Sequence, residues 1–318
     1  MEASVKVSSK HGIKVALTLL IAGLAPSAKA DFVSSTLGTA GPSNYAILAT
    51  GTNVTVGLNV PNVTGIVGNV GLATGGDLAA NNTNATSPGN EVNGNVYFQG
   101  ASNFGGSGGC ASIPTCLVTG GIFTMQSQIG TAITDANSAS LTFAALAATS
   151  GVTSITGNMT INATGSVTVV DLTNFNLGNA TKLTLNGSAG DQFIVNVPAS
   201  DWNTLQGQVV ETGGVSANDV VINVTGAGNL HFSGGGNAAG IDGILLAESA
   251  DISMSPGFIN GELIAGGTSI QIVSGGEVHN VPTVPEPRYT SFIVVGLLAA
   301  IALMQKKRLL LRPNVRHS

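Results

Sequence analysis

Positive charge is almost absent from the long central part of this sequence. From residue 31 to residue 283 the chain has 14 acidic residues and one cation, Lys182, so this stretch has a net charge of −13. A surface with a single lysine cannot neutralise a phosphate backbone, which excludes nucleic-acid binding. The same lack of Arg and Lys argues against polysaccharide lyases, because proton abstraction beside a carboxylate needs a cationic base or partner. An acidic surface of this kind suits a soluble protein exposed outside the cell.

Cysteine and histidine are also scarce. The two cysteines, Cys110 and Cys116, have five residues between them. In an oxidising compartment we expect them to form a local disulfide, with two free thiols as the alternative. The central part has two histidines, His231 and His279, which are far apart and lack the spacing of a zinc motif. We therefore predict no metal site and no cofactor.

Acidic residues leave one enzymatic alternative open, which is hydrolysis by a pair of carboxylates. Four acids, Asp242, Glu248, Asp251 and Glu262, are close together in sequence and could share one face of the fold. The competing interpretation is that they are solvated acids on outward strand positions, as most acids in folded chains are. We follow the second interpretation and predict no catalytic residue and no enzymatic activity.

The start of the chain has the three parts of a secretory signal peptide. A stretch with three lysines precedes the apolar run Val15–Leu24, and Ala28 and Ala30 then form an A-x-A cleavage site before Asp31. Ten apolar residues suit a signal sequence better than a membrane-spanning helix. Residues 1–30 are therefore predicted to be removed by signal peptidase, which leaves residues 31–283 as an exported domain.

The end of the chain also has three parts, at residues 284–288, 289–305 and 306–318. A motif of four residues comes first: Val284, Pro285, Glu286 and Pro287. The uncharged run that follows is short for a bilayer-spanning helix, although flanking cations that extend to the headgroups can cover the deficit. The cations Lys306, Lys307 and Arg308 then predict a tail that stays in the cytoplasm. The alternative is an amphipathic or buried C-terminal helix.

This order of motif, apolar run and basic tail resembles the PEP-CTERM sorting signal of Gram-negative bacteria. The resemblance covers residues 284–318. It implies that an exosortase in the inner membrane recognises the segment and cleaves it near Pro285–Pro287. The membrane-anchored precursor would then yield a mature form at the cell surface or in an exopolysaccharide matrix.

The central part alternates aliphatic with small polar residues and contains a repeat, which predict a mainly β fold. The repeat has the form aliphatic, any, Gly, any, aliphatic, and it begins at Ile66, Val92, Ile155, Ile241 and Ile259. The last two copies are 18 residues apart, a length that suits one coil of a parallel β-helix. A β-sandwich with Gly-rich turns is the alternative. The Gly- and Asn-rich stretches Gly71–Asn90 and Gly105–Pro114 are predicted to be surface loops.

One segment has helical rather than strand periodicity. Apolar residues occur at Met125, Ile129, Ala132, Ile133 and Ala136, and Thr124 is a candidate N-cap. The run Leu141–Ala148 has the same character, so the helix continues or restarts there. We expect it to pack along the side of the solenoid, and closing one end of the β-helix is the alternative.

Three sequence segments of the central part resemble segments of known surface-protein families. Leu37–Leu48, the helical segment and Ile259–Gly267 are similar to the choice-of-anchor A domain and to the ice-binding-like adhesion family. The resemblance implies a right-handed parallel β-helix with a helix alongside, and an adhesive or structural role in the cell envelope or biofilm. The sequence lacks a long Thr-x-Thr ladder, so ice or glycan binding is kept as the alternative function, ahead of polysaccharide hydrolysis.

Overall fold

Strands pair in parallel throughout the part of the chain that the structure describes. The computed structural model describes residues 31–59, 65–80, 91–106, 118–234 and 239–280. Strands repeatedly hydrogen-bond to strands one coil away, as when Ile241 pairs with Ile259 and Leu183 pairs with Val209. Parallel neighbours joined by tight corners build a β-helix-like solenoid, whereas a sandwich would have antiparallel pairs. The mainly β, parallel prediction is confirmed, and the right hand of the coil stays a prediction.

The solenoid has three faces. The covered face consists of β12 (Val167–Asp171), β15 (Gln192–Pro198), β17 (Val220–Thr225), the second halves of β19 (Ala239–Ala247) and β21 (Gly257–Ala265), β1 (Ile47–Ala49), β4 (Val70–Leu72), β7 (Val96–Phe98) and β9 (Ile122–Phe123). The polar face consists of β11 (Met159–Asn162), β14 (Lys182–Asn186), β16 (Gln208–Thr212), the first halves of β19 and β21, β23 (Glu277–His279), β3 (Ile66–Val67), β6 (Val92–Asn93) and Val118. The third face consists of β10 (Ser154–Ile155), β13 (Asn174–Phe175), β18 (Gly228–Phe232), β20 (Ala250–Met254), β22 (Ser269–Val273), β2 (Thr55–Asn59), β5 (Asp77–Ala80) and β8 (Phe104–Gly106).

A column of glycines forms the corner between the polar and covered faces. Gly68, Gly243 and Gly261 have φ values of +129°, +151° and +151°, which side chains rarely adopt. A Cβ on Gly261 would overlap the backbone carbonyl of Gly243, and one on Gly94 would overlap that of Gly68. The glycine of the sequence repeat is therefore required in the four copies that turn this corner, at Gly68, Gly94, Gly243 and Gly261.

The coils do not follow one another in chain order. The chain enters the stack at β1, runs to one end at β9, returns in a helix to the other end, and coils back towards β21 and β23. The first coil then lies on the last: Ile47 pairs with Leu263, Val56 with Ile270, and Ile66 with Val278. We call this junction of the two coil stacks the seam.

Two apolar cores hold the solenoid together. The inner core is enclosed by the three faces and contains the inward side chains of nearly every strand, including Phe98, Phe175, Phe193 and Phe232. The outer core lies between the covered face and the helices, where Ile129, Ala136 and Phe143 pack on Val221 and Ile244. Because apolar side chains are buried on both sides of this sheet, the covered face contributes most to the stability of the fold.

Two helices lie on the covered face. Helix α1 (Phe32–Leu37) begins the described chain, and α2 (Ser127–Ala144) contacts β15, β17 and β19. The predicted position of the long helix alongside the solenoid is thus what the structure shows, and the helix continues through Leu141. The predicted N-cap, Thr124, is wrong, because Gln126 is the N-cap of the helix. Met125 has a φ of +56°, which separates Thr124 from the first helical turn.

Two details of the sequence interpretation need correction. The repeat copy at Ile155 is not in register with the others: Ile155 pairs with Phe175 on the third face, and Gly157 lies in open space rather than at the corner. The predicted loop Gly71–Asn90 contains strand β5, because the buried Leu78 supplies a core residue between glycines. Strand β8 begins at Phe104 and extends two residues into the predicted loop Gly105–Pro114.

The targeting segments and the two cysteines lie outside the described residues. These include the signal peptide with Ala28 and Ala30, the cysteine pair, the motif from Val284 to Pro287, and the basic residues after it. Within the described ranges, no helix is both long enough and apolar enough to cross a membrane.

Candidate functional site

The covered face is occupied by the chain's own helices, so a partner has to use one of the other faces. A buried hydrogen-bond network fixes α2 there. The Asn223 side-chain amide donates to Ser140 O and to Asn196 Oδ1, while Ser140 Oγ donates to Asn223 Oδ1 at 2.8 Å. Asn196 in turn donates to Phe143 O. Buried amides with satisfied partners specify one helix position and resist its removal.

The polar face presents an array of hydrogen-bonding side chains along its whole length, with single valines at two rungs. Its middle outward row crosses nine rungs, and seven of the nine side chains are polar. From one end to the other this row reads Thr160, Thr184, Val210, Asp242, Asn260, His279, Val67, Asn93 and Thr119. Neighbouring strands are about 4.8 Å apart, so the row forms a regular ladder along the solenoid.

Hydrogen bonds between rungs hold side chains of the polar face in place, both in the middle row and in the row beside it. Asn186 donates to Asn162 Oδ1 at 2.8 Å, and Thr212 donates to Asn186 Oδ1 at 3.1 Å. Further along, Asn260 donates to Asp242 Oδ1 at 2.7 Å. A surface whose rotamers are already fixed loses less conformational entropy when it binds a partner.

The charges of the polar face are few and partly neutralised. Burial raises the pKa of the Glu211 carboxyl to about 7, and the nearby Asp242 adds to this rise. Burial also raises the pKa of Asp242, against the opposing effects of Asn260 and Lys182. Glu277 and His279 approach to 3.3 Å at the centre of the face. The face therefore suits a partner that offers hydroxyl groups rather than strong charge.

The third face is a less continuous alternative. Its middle outward row begins with His231, Ser253 and Gln271 but continues with Gly57 and Ala79, which have no hydrogen-bonding side chain. Because two neighbouring strands present only small side chains there, the array is interrupted halfway along the solenoid. The polar face is the better candidate.

The four acids considered for hydrolysis do not share a face. Asp242 lies on the polar face and Asp251 on the third face, where it accepts hydrogen bonds from the backbone of Thr268 and Ser269. Glu262 lies under the helices of the covered face, fully buried. Glu248 follows β19 at the corner towards the third face. Residues close in sequence are distributed around the coil, so the structure does not bring them together.

Glu248 lines a half-open cavity of about 220 Å³ between α2 and the turns after β17 and β19. Burial raises the pKa of Glu248 to about 7, and Thr50 opposes this rise. Neither Thr50 Oγ1 nor Glu248 Oε1 has a well-directed hydrogen bond within the described ranges. Those ranges also contain no group of three His, Cys, Asp or Glu side chains that could hold a metal ion.

Asp31, the predicted first residue after signal cleavage, has a structural role. Its Oδ1 accepts hydrogen bonds from Ser34 N at 2.9 Å, as the N-cap of α1, and from Gln192 Nε2 at 2.9 Å. Gln192 Oε1 in turn accepts from the backbone N–H groups of Phe32 and Val33. No signal in the sequence pointed to Gln192, which is more than 150 residues away.

A family model for an ice-binding-like adhesive domain matches residues 34–280. Several solved structures are similar. An ice-binding protein with antifreeze activity from an Arctic yeast is 18% identical, with a TM-score of 0.50, covering 79% of this chain and 96% of that one. An ice-binding protein from the Antarctic ascomycete Antarctomyces psychrotrophicus is 20% identical, with a TM-score of 0.45, covering 77% and 97%. At these identities the likeness concerns the fold alone. A search of curated proteins gave no match.

Proposed function

This chain belongs to the ice-binding-like adhesive domain family, and on that premise we propose that it is a non-enzymatic adhesive module. Its polar face would bind an extended, repetitive partner. The observation that carries this proposal is the outward row of nine rungs, in which polar side chains recur at strand spacing. Within the row, Asn260 donates a hydrogen bond to Asp242, and Thr119 donates one to Asn93. Adhesion needs a large fixed surface rather than a cleft, and the polar face has that form.

A hydroxyl-rich polymer such as an exopolysaccharide fits the chemistry of this face. Amide and hydroxyl side chains both donate and accept hydrogen bonds, as sugar hydroxyls do. The exported domain has a net charge of −13, which disfavours an acidic polymer and favours a neutral one.

Ice is the second candidate, favoured by the family and by the regular rung spacing. The row is not uniform, however, because Val210, Asp242 and His279 interrupt the Thr and Asn side chains. A crystalline surface repeats one chemical group at fixed intervals, whereas a polysaccharide offers varied donors and acceptors. The irregular row therefore supports the polysaccharide over ice.

Replacing Thr184 by Tyr should weaken binding to the host exopolysaccharide by at least about tenfold, which is about 1.4 kcal/mol. The bulky ring would stand up from the second rung of the row, counted from the β11 end, and keep the polymer from the neighbouring side chains. Co-sedimentation with purified exopolysaccharide measures the loss, and thermal hysteresis measures any effect on ice. Ser253→Tyr, at the centre of the third face, is the matched control. Equal losses in the two variants would show that the polar face is not the binding surface.

Export and sorting complete the proposal. Residues 1–30 would direct the chain through the inner membrane, and an exosortase would cleave near the motif from Val284 to Pro287. The adhesive domain would then be released to the cell surface or matrix of a Gram-negative host. The tripartite sequence of residues 284–318 supports this step.

Replacing both Glu286 and Pro287 by Ala should leave the precursor in the inner membrane, because the exosortase would no longer recognise its motif. Membrane fractionation and mass spectrometry of the native host should find an intact C-terminus in the variant. The wild type should begin at Asp31 and end near Pro287. Pro282→Ala, outside the motif, is the control and should be sorted normally. Normal release of the double variant would refute sorting at this motif.

A further inference from the structure

One phenyl ring lies on the polar face, that of Phe258 in the first half of β21. Side chains alternate along this strand, so the fully buried Ile259 points into the inner core, while the half-buried Phe258 and Asn260 point outward. Among the described strands of the polar face, no other residue is a phenylalanine, tyrosine or tryptophan. Within the described residues, Phe258 also belongs to neither apolar core. Its ring is therefore part of the surface that we propose to bind the polymer.

A glycine on the neighbouring rung makes room for this ring. Gly240 pairs with Phe258, and a Cβ on Gly240 would lie 2.2 Å from both Cε1 and Cζ of the ring. The ring thus lies across the backbone of Gly240, in the place that any other side chain would fill. Packing on the backbone holds the ring down against the sheet and limits its rotamers, which favours binding by a preorganised surface.

Polar side chains surround the ring. Phe258 and Gly240 lie in a row beside the middle row of the polar face. Neighbouring rungs are about 4.8 Å apart, and side chains on one face of a strand about 7 Å apart, so four polar groups lie within reach of a ligand on the ring. These are two amides and two carboxyl groups: Gln208, Asp242, Asn260 and Glu277. Asn260 and Asp242 are joined by a hydrogen bond of 2.7 Å.

A phenyl ring within a rim of amides and carboxyl groups matches the chemistry of a pyranose sugar. One face of such a sugar carries C–H groups, whose slightly positive hydrogens are attracted to the negative face of an aromatic ring. The hydroxyl groups around its edge can donate to carboxyl oxygens and exchange hydrogen bonds with amides. Asp242 and Glu277 beside the ring disfavour a sugar that carries a carboxylate or sulfate. Ice has no C–H face to stack on the ring.

We propose that Phe258 is the stacking platform of a subsite for one neutral pyranose unit, with the four polar side chains contacting its hydroxyl groups. This rests on the proposed adhesive function and names the part of the polar face that recognises the sugar. Gly240 is the positioning residue, because its lack of a side chain lets the ring lie against the sheet. Other units of the polymer extend along the middle row.

Three variants of the complete domain test the subsite, by calorimetry with neutral glucan, mannan and galactan hexasaccharides and by co-sedimentation with the host exopolysaccharide. Phe258→Ala should lower the affinity about tenfold. Gly240→Ala keeps the ring but displaces it, so a similar loss is expected. Phe258→Trp should keep binding, and its indole emission should shift to shorter wavelength when sugar is added. Phe123→Ala is the matched control, because Phe123 is a 42% exposed phenylalanine on the covered face and should leave binding unchanged.

The outcomes separate the subsite from the proposed function. If Phe258→Ala binds like the wild type while Thr184→Tyr does not, the subsite is refuted and the polar face stands. A wild type that binds no neutral polysaccharide refutes the proposed function and the subsite with it. Equal losses in Phe258→Ala and Phe123→Ala, or tighter binding of an acidic uronic-acid hexasaccharide, would also overturn the subsite. Because the ring belongs to neither core, Phe258→Ala should leave the Tm within about 2 °C of the wild type. A Tm loss as large as that of a core truncation would show that the ring supports the fold instead.

Discussion

Replacing Gly261 by Ala should destabilise the β-helix domain by about 4 kcal/mol and lower its Tm by roughly 10 °C. The new Cβ would overlap the carbonyl oxygen of Gly243 in the adjacent coil, and that backbone is held by the strand ladder. The residue would also have to adopt a φ of +151°. Urea and thermal unfolding followed by circular dichroism measure the loss.

Gly226→Ala separates the two causes. Gly226 also has a left-handed φ, of +84°, but a Cβ there has no described atom within 4 Å. Its replacement should therefore cost only the backbone strain, about 1 kcal/mol. If Gly261→Ala costs no more than Gly226→Ala, contact between stacked corners does not explain the glycine of the repeat.

Replacing Glu262 by Leu should stabilise the domain at pH 8 by about 1–3 kcal/mol, the cost of a buried polar group without a hydrogen-bond partner. Glu262 is fully buried, and neither of its carboxyl oxygens has a hydrogen-bond partner among the described residues. Burial therefore raises its pKa well above the ordinary value. In the register of the strands it continues the apolar column of Val221 and Ile244, so a Leu side chain fits the outer core.

The same burial makes the stability of the native domain fall as the pH rises. Above about pH 4.5 an unfolded chain releases the Glu262 proton, whereas the folded chain keeps it until its much higher pKa is reached. Unfolding thus releases a proton across this window, and the free energy of unfolding decreases by about 1.4 kcal/mol per pH unit. Replacing Glu262 by Leu should remove the contribution of Glu262 to the pH dependence of the free energy of unfolding.

Glu211→Gln is the control for the pH dependence. The pKa of Glu211 is raised only to about 7, so its contribution to the pH dependence of stability should end near pH 7. Solvent screening should also make this contribution smaller than that of the fully buried Glu262. Denaturant titrations from pH 5 to pH 9 distinguish the two variants. A Glu262→Leu variant whose stability falls with pH as steeply as that of the wild type would contradict an unpaired, neutral Glu262.

The repeat and the helix could be predicted from sequence because both are local. Ile241 and Ile259 occupy adjacent rungs 18 residues apart, and the spacing from Ile129 to Ala136 places one helical stripe on the covered face. The copy at Ile155 was assigned to the wrong face, because the pattern shows an apolar position and a glycine but not the corner of the coil at which they lie. Local periodicity therefore predicts that a coil is present, but not at which corner of the coil its glycine lies.

The seam and the binding surface could not be read from sequence. The pairing of Ile47 with Leu263 joins residues more than 200 positions apart, and no local pattern records it. The polar face has the same origin: Asn260 and His279 become neighbours only through strand register, and Thr160 joins their row from the far end. The burial of Glu262 was missed because α1, α2 and Tyr45 cover a position that would be exposed on a bare solenoid.

The seam also dictates the order in which this protein can fold. Strand β1 is synthesised early, but its partner β21 comes close to the end of the domain. The first coils therefore keep an unpaired edge until nearly the whole domain has been synthesised. Contacts of such high sequence separation slow folding and leave strand edges open to aggregation meanwhile. We therefore expect folding of the domain to be slow and dependent on protection of that edge.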